Sequence, residues 1–213
     1  MLKQIFNFLI ELLFPKFCVS CGKFDTFFCK QCFSKVKPFK NPVKLDLPGQ
    51  VYLDQVLAAA VYAPPIDQLI HELKYQSVKD IGLTCARIIN YLVQVPAVDI
   101  ITYVPLHQLK QSDRGFNQAQ VIASELSRLT NIPCANLLKR TVNTSPQARV
   151  TSREERLNRM ANIFKANSVL NPPFSILLVD DVTTTGSTLN ECAKVLKQVG
   201  VKKVIGLVVA HGS

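Results

Sequence analysis

From residue 51 onward, short runs of consecutive apolar residues alternate with stretches in which apolar residues return every three or four positions. The first pattern belongs to buried strands and the second to helices with one apolar face. Read this way, 51–63 predicts a strand or hairpin, 64–75 a helix, and 80–93 a second helix carrying Ile81, Cys85, Ile88, Ile89 and Leu92 on one face. A strand over 99–104, a helix over 116–130, a strand over 134–138, a short helix over 152–159 and a strand over 176–179 follow. The last elements are a helix over 188–199, stopped by Gly200 as a C-cap, and a strand over 203–209. Continuous apolar strands separated by helices predict an α/β fold with a mostly parallel, doubly wound sheet. Ligands of such sheets sit at the carboxyl ends of the strands.

The first fourteen residues, MLKQIFNFLIELLF, are apolar except at Lys3 or Gln4, Asn7 and Glu11, which recur at helical spacing. They predict an amphipathic helix, too short to span a bilayer. It packs on the protein itself or on a partner, or lies on a membrane surface; the pattern leaves these alternatives open. The polar interruptions and the lack of a small-residue cleavage site speak against a signal peptide. A cytoplasmic protein with no integral membrane span is expected, peripheral association with the inner membrane remaining an alternative.

Composition adds a charge problem. The 213 residues are 48% hydrophobic and carry a net charge of +10, with mean hydropathy +0.17. The length suits one large domain with a small appendage, and the composition shift places the boundary so that 1–45 and 46–213 are separate units. The charge is unevenly spread, at +5 over 1–50, −2 over 51–100, +4 over 101–150 and +3 over 151–213. An anionic partner is one reading of that distribution and a solvated basic surface is the other.

Four of the seven cysteines explain part of the N-terminal unit. Cys18, Cys21, Cys29 and Cys32 form C-x2-C-x7-C-x2-C, two knuckles whose thiolates can converge on one tetrahedral zinc ion. Iron–sulfur ligation and redox pairing are the alternatives. Four thiolates leave no open coordination position, so the expected zinc is structural. Cys85, Cys134 and Cys192 stand alone in apolar patterns and read as small buried hydrophobes. After the knuckles, FSKVKPFKNPVK (33–44) interleaves Lys35, Lys37, Lys40 and Lys44 with Phe33 and Phe39, and its two prolines mark a linker. Lysines between rings suit the phosphates and bases of single-stranded nucleic acid; rings covering the cysteine module are the alternative.

The eight glycines are too scattered for a Walker loop or a dinucleotide fingerprint. A different phosphate cradle is present in SILLVDDVTTTGSTL (175–189). An apolar strand delivers Asp180 and Asp181, and Thr183, Thr184, Thr185, Gly186, Ser187 and Thr188 form a small-residue turn that opens a helix. Successive amides, hydroxyls and a helix N-terminus can wrap a phosphate monoester, and Gly186 allows the positive φ such a nest needs. The two carboxylates can accept hydrogen bonds from ribose hydroxyls or bind Mg(II). A second loop, PLHQLKQSDRGFNQ (105–118), brings Lys110 and Arg114 beside Gly115 and the start of another helix, with His107 either a general acid or a hydrogen-bonding loop residue.

The 175–189 run resembles the phosphoribosyl-diphosphate (PRPP) motif of the type I phosphoribosyltransferases. That resemblance implies that Asp180 and Asp181 contact the ribose hydroxyls and that Thr184 to Thr188 bind the 5-phosphate. Purine-salvage members usually carry an Asp where Thr184 stands, which argues against a purine acceptor. The order V-P-L-H then R-G-F-N-Q is similar to the pyrophosphate loop of the ComF family, formed here by Pro105, Leu106, His107, Lys110, Arg114 and Gly115. With the cysteine module, the chain resembles the ComF/GntX type, the competence-associated branch of the superfamily. Arg140, Gln147, Arg153 and Arg156 then fall in the region forming a mobile hood over the sugar, although Arg159 stands where the family has Asn. The resemblance implies a PRPP-binding protein that handles single-stranded DNA during natural transformation, with Mg(II) accompanying PRPP. It also suggests the DNA-uptake helicase or other competence proteins as partners. An active phosphoribosyltransferase is the alternative, with Asp180, Asp181, Arg114 and Lys110 as its catalytic groups and an acceptor that nothing in the sequence identifies.

Overall fold

The computed structural model describes residues 15–45, 47, 49–75, 78–142, 163–167 and 172–212. The predicted helices over 1–14 and 152–159 lie outside the described residues, as do Gln147, Arg153 and Arg156. The elements, in chain order, are α1 (Lys30–Phe33), β1 (Gln55–Val61), α2 (Ile66–Tyr75), α3 (Lys79–Leu92), β2 (Ile100–Tyr103) and α4 (Gln108–Arg114). They continue with α5 (Gln118–Thr130), β3 (Leu138–Arg140), β4 (Phe164–Ala166), β5 (Ser175–Thr183), α6 (Ser187–Gln198) and β6 (Lys203–His211).

The main sheet has the order β1-β6-β5-β2, and all three pairings are parallel. Central strands β5 and β6 are buried along nearly their whole length, as their unbroken apolar sequence requires. One face is covered by α2, α3 and α5, whose Leu69, Ile70, Leu73, Cys85, Ile89, Ile122 and Leu126 pack with Leu177, Val179, Ile205 and Leu207 of the sheet. The other face is covered by α6, where Leu189, Cys192, Ala193 and Leu196 pack with Ile176, Leu178, Val204 and Val208. Helices on both faces make the sheet doubly wound, in agreement with the pattern.

Three departures from the sequence reading bear on the site. The predicted strand over 134–138 is instead an isolated parallel bridge, with Cys134 beside Ile101, and regular pairing begins at Leu138. There β3 joins β4 in a separate antiparallel ribbon that puts Arg140 opposite Phe164. The segment read as a linker runs antiparallel to the free edge of β1. Val61 N–H donates to Lys37 C=O at 2.9 Å, Phe39 N–H to Ala59 C=O at 3.1 Å and Val43 N–H to Val56 C=O at 2.8 Å. Its prolines alternate with residues that bond β1, so they end no pairing and an exposed edge is closed. Finally, β5 continues past the apolar run to Thr183, so both acids lie on the strand itself, held by the register Asp180↔Val208 and Thr183↔His211.

Candidate functional site

The four cysteines come together as their spacing predicts. Their sulfur atoms all lie within 4.8 Å of one another, with Cys18 Sγ to Cys32 Sγ at 3.7 Å and Cys21 Sγ to Cys29 Sγ at 3.6 Å. A tetrahedron with metal–sulfur bonds of about 2.3 Å has edges of roughly 3.8 Å, so the cluster could hold a metal ion with little adjustment. Gly22 at φ +73° makes the turn after the first knuckle, and its N–H donates to Cys18 C=O at 2.8 Å. The N–H of Cys32 reaches Cys29 Sγ at 3.4 Å and that of Cys29 reaches Cys18 Sγ at 3.5 Å. Burial pushes the Cys32 thiol up to about 12. Burial also opposes ionisation of Cys18, but hydrogen bonds from the Cys29, Ser20 and Cys21 backbone outweigh it and bring that thiol down to about 6. The module is not isolated from the large unit. Val19, Phe27, Phe28 and Phe33 pack on the α2/α3/α5 core, Phe33 meets Tyr91 edge to face at 5.3 Å, and Lys16 pairs with Asp80 at 3.7 Å. The remaining thiols behave as small hydrophobes. Cys85 and Cys192 are fully buried, Cys134 partly so, and burial raises all three above the usual thiol range.

At the carboxyl end of β5 the turn leads directly into α6. Gly186 is the N-cap of α6 at φ +81°, and Asn190 N–H donates to its carbonyl at 2.9 Å. Thr184, Thr185, Ser187 and Thr188 are exposed, whereas Thr183 is buried, its carbonyl accepting from Gly212 N–H at 2.9 Å and lying 3.2 Å from His211 Nδ1. Thr185 and Ser187 hydroxyls are 3.2 Å apart. The turn is thus anchored behind and open in front.

The acids diverge. Neighbouring strand residues point to opposite faces. Asp181 accordingly faces the α2/α3 side, where Lys74 Nζ lies 3.3 Å from its Oδ2 and its charge reaches Cys85. Asp180 faces the α6 side, within the field of Cys192 and Arg140. Each turns one oxygen onto the backbone, Asp180 Oδ1 accepting from Asp181 N–H at 2.8 Å and Asp181 Oδ1 from Val182 N–H at 2.6 Å. Burial, reinforced by the charge of Asp181, pushes the Asp180 carboxyl up to about 8. A bound cation or hydroxyl donors would relieve that burden.

The second predicted loop contains a helix that periodicity did not reveal. Seven residues are too few for an apolar stripe, and α4 has no buried residue to create one. His107 serves as its N-cap, Nδ1 accepting from Leu109 N–H at 3.3 Å, which favours the hydrogen-bonding reading of this histidine. Gly115 at φ +77° ends α4. Asn117 then caps α5, accepting from Ala119 N–H at 3.0 Å and donating to Val104 C=O at 3.0 Å. The start of α5 is therefore closed by its own cap, and positive potential in this region comes from side chains. Lys110 lies near Arg114 and Arg140: burial first, then those two charges, hold its ammonium below the ordinary range. Arg140, expected in the hood, stands on β3 over the Phe164 ring at 5.5 Å and in the field of Asp180. Arg140 thus lies in the field of Asp180 and beside Lys110, which in turn lies near Arg114. Pro105 is buried and Leu106 half-buried where the chain leaves β2.

The sequence reading missed Lys74 and Gln118. Gln118 is buried, accepts from Arg114 Nη1 at 3.4 Å and donates from Nε2 to Leu73 C=O at 3.4 Å. Its signal was a polar residue at the head of an apolar helix face. For Lys74 it was a cation immediately after the buried Leu73, four residues past the buried Ile70.

Comparison with known proteins decides the family. Residues 112–213 match the phosphoribosyl transferase domain family. Competence protein F of Haemophilus influenzae is 32% identical over 187 residues, covering 83% of this chain and 81% of that protein. The chain belongs to the ComF family. Other relatives of this ComF-family protein include DNA utilization protein YhgH of Escherichia coli K12, 29% identical over 88% of this chain and 85% of that one. Competence protein ComFC of Bacillus subtilis is 32% identical over 47% of this chain and 39% of that protein. The fold is accordingly that of the type I phosphoribosyltransferases, and the role is a ComF-type competence role. Among the described residues no helix is long and apolar enough to cross a membrane.

Proposed function

We propose that this ComF-family protein binds PRPP at the end of β5 and handles single-stranded DNA through its N-terminal unit during natural transformation. The observation that carries the reading is the meeting, on one strand end, of a turn with exposed Thr and Ser side chains, two carboxylates and Arg140, with Lys110 and Arg114 next to that arginine. Turn amides and hydroxyls suit a 5-phosphate, carboxylates a ribose diol, and cations a diphosphate. Asp180 and Asp181 would hold Mg(II) together with PRPP oxygens; when bound, the ion would neutralise diphosphate charge. The cysteine cluster would hold structural zinc.

For single-stranded DNA, ring exposure supports the cysteine hairpin over the rings of 33–44. The rings of Phe33 and Phe39 are engaged, the first by Tyr91 and the second edge to face with His211 at 5.2 Å. The cysteine hairpin instead exposes Phe17 at 50% and Phe24 at 62%, paired edge to face at 5.8 Å and flanked by Lys16 and Lys23. A groove of 470 Å³ is lined by Pro38, Phe39, Pro42 and Val61 together with Lys40, Asn41, Lys44 and His211. Exposed rings with lysines suit bases and phosphates of a single strand, and the name of the relative in Escherichia coli, a DNA utilization protein, agrees with that use.

The gathered cations also favour a second reading, transfer of the phosphoribosyl group to an acceptor. Cleavage at C1 builds positive charge on the sugar and negative charge on diphosphate, so Lys110, Arg114 and Arg140 would stabilise the leaving group. Titrating PRPP and a single-stranded oligonucleotide on the same preparation tests the first reading: both bind, the oligonucleotide with steep salt dependence. Absence of oligonucleotide binding at low salt, with metal retained, would refute the DNA role. Diphosphate release that requires an added acceptor would select the second reading.

A further inference from the structure

Lys74 belongs to none of the loops that frame the site, yet its ammonium is the cation nearest to one of the acids. The helix carrying it, α2, is fixed by Ile66, Leu69, Ile70 and Leu73, all buried against the sheet. Lys74 lies at the border of that face with 28% of its side chain exposed, and Asp181 keeps only 15%. The other lysine–carboxylate pairs of the described residues, Lys16–Asp80 and Lys197–Asp54, leave their acids 52% and 39% exposed. Exposed pairs of that kind contribute little, whereas a cation set against a mostly buried carboxylate is poorly screened. The helix end is also pinned: Leu73 C=O accepts from Gln118, which in turn accepts from Arg114 of the diphosphate loop. Both oxygens of Asp181 are thereby committed, one to Val182 N–H and one to Lys74.

We propose that Lys74 is a positioning residue for sugar binding: it holds the Asp181 carboxylate in place and acts as a resident counter-cation of the acidic pair, sharing with Mg(II) the task of neutralising it. The proposal rests on the PRPP reading of the site. The ammonium already supplies part of the positive charge that a divalent ion would otherwise have to bring, so the lysine lowers the Mg(II) concentration at which two adjacent acids can receive an anionic sugar. Without the ammonium, the pair repels PRPP until the metal ion compensates.

Calorimetric titration of the full-length protein with PRPP at a series of Mg(II) concentrations tests this. Lys74→Met keeps the straight apolar stem and removes the charge, Lys74→Gln is a second neutral variant, and Lys74→Arg keeps the charge; thermal unfolding without ligand compares their folds. The neutral variants should bind PRPP about tenfold more weakly at low Mg(II), the order expected for one charge-assisted contact, and recover towards native affinity as Mg(II) rises. Lys74→Arg should stay within about threefold of native, since its charge is retained. Native affinity in the neutral variants, or a loss of the same size at every Mg(II) concentration, would overturn the role. Failure of the unsubstituted protein to bind PRPP would overturn the PRPP reading as well, and shows itself before any variant is made.

Discussion

Replacing Gly186 separates what the phosphate turn needs from its backbone from what it needs from its surroundings. Gly186 sits at φ +81°, where a side chain costs about 1–2 kcal/mol because Cβ crowds the following carbonyl. A Cβ there would also overlap Leu45 Cδ2, the tip of a half-buried side chain at the end of the segment lying along β1. Overpacking of a rigid neighbour costs roughly 1–3 kcal/mol, but this atom is a terminal methyl that can turn away, so the backbone contribution should dominate. Gly186→Ala is therefore expected to lower stability by about 1–2 kcal/mol, and a Leu45→Ala background should recover only about 0.5 kcal/mol or less of it, as for weakly coupled sites. Gly186→Val, whose branched side chain tolerates positive φ least, should abolish PRPP binding while the sheet remains folded. Urea unfolding of the two single variants and their combination gives the cycle, and calorimetry gives the affinity. Full recovery of stability in the double variant would refute the backbone argument, and unchanged PRPP affinity in Gly186→Val would refute the phosphate assignment.

The other predictions concern charge and metal. The folded-state pKa of Asp180, about 8, lies above the ordinary carboxylate value of 3.8. The folded protein therefore binds the extra proton between those values, and stability falls as pH rises from about 4 to 8. Asp180→Asn should consequently stabilise the ligand-free protein by an amount that grows across that window; a pH-independent difference in melting temperature would contradict the buried-acid description. Cys29→Ser should lose bound metal, measured by elemental analysis, while the two large cores remain folded, because they are built from other residues. Full metal retention would refute the four-thiolate site. Gln118→Leu removes the bridge between Arg114 and Leu73 and should cost about 1–3 kcal/mol, the penalty for leaving the buried Leu73 carbonyl without its donor; chemical denaturation would reveal it, and a neutral result would deny the bridge any importance.

Much of the molecule was legible because its strongest elements advertise themselves. The buried runs at β5 and β6 and the 3.6-residue stripes of α3 and α5 follow from two-sided and one-sided burial, and Gly200 at φ +104° ends the last helix region as its position suggests. The cysteine quartet and the acid-plus-turn motif were legible because few other arrangements use those residue types at those spacings. The elements that escaped are short or lack a core. The helix α4 buries nothing, and β3 and β4 are three residues each, stabilised by a partner far along the chain. The edge pairing of residues 37–43 was hidden because two prolines look like a linker, and prolines are tolerated where an edge segment does not need every amide. Lys74 escaped for another reason. Its role is created by a strand more than a hundred residues later, and no local pattern records which carboxylate a helix end will meet.

Direct binding of PRPP tests the central claim most plainly. Calorimetry of the full-length protein with PRPP and Mg(II) should show saturable binding at one site, competed by ribose 5-phosphate, which keeps the turn's phosphate and the diol, and lost in Gly186→Val. Absence of PRPP binding at millimolar ligand, or binding that survives Gly186→Val and ignores ribose 5-phosphate, would contradict the account.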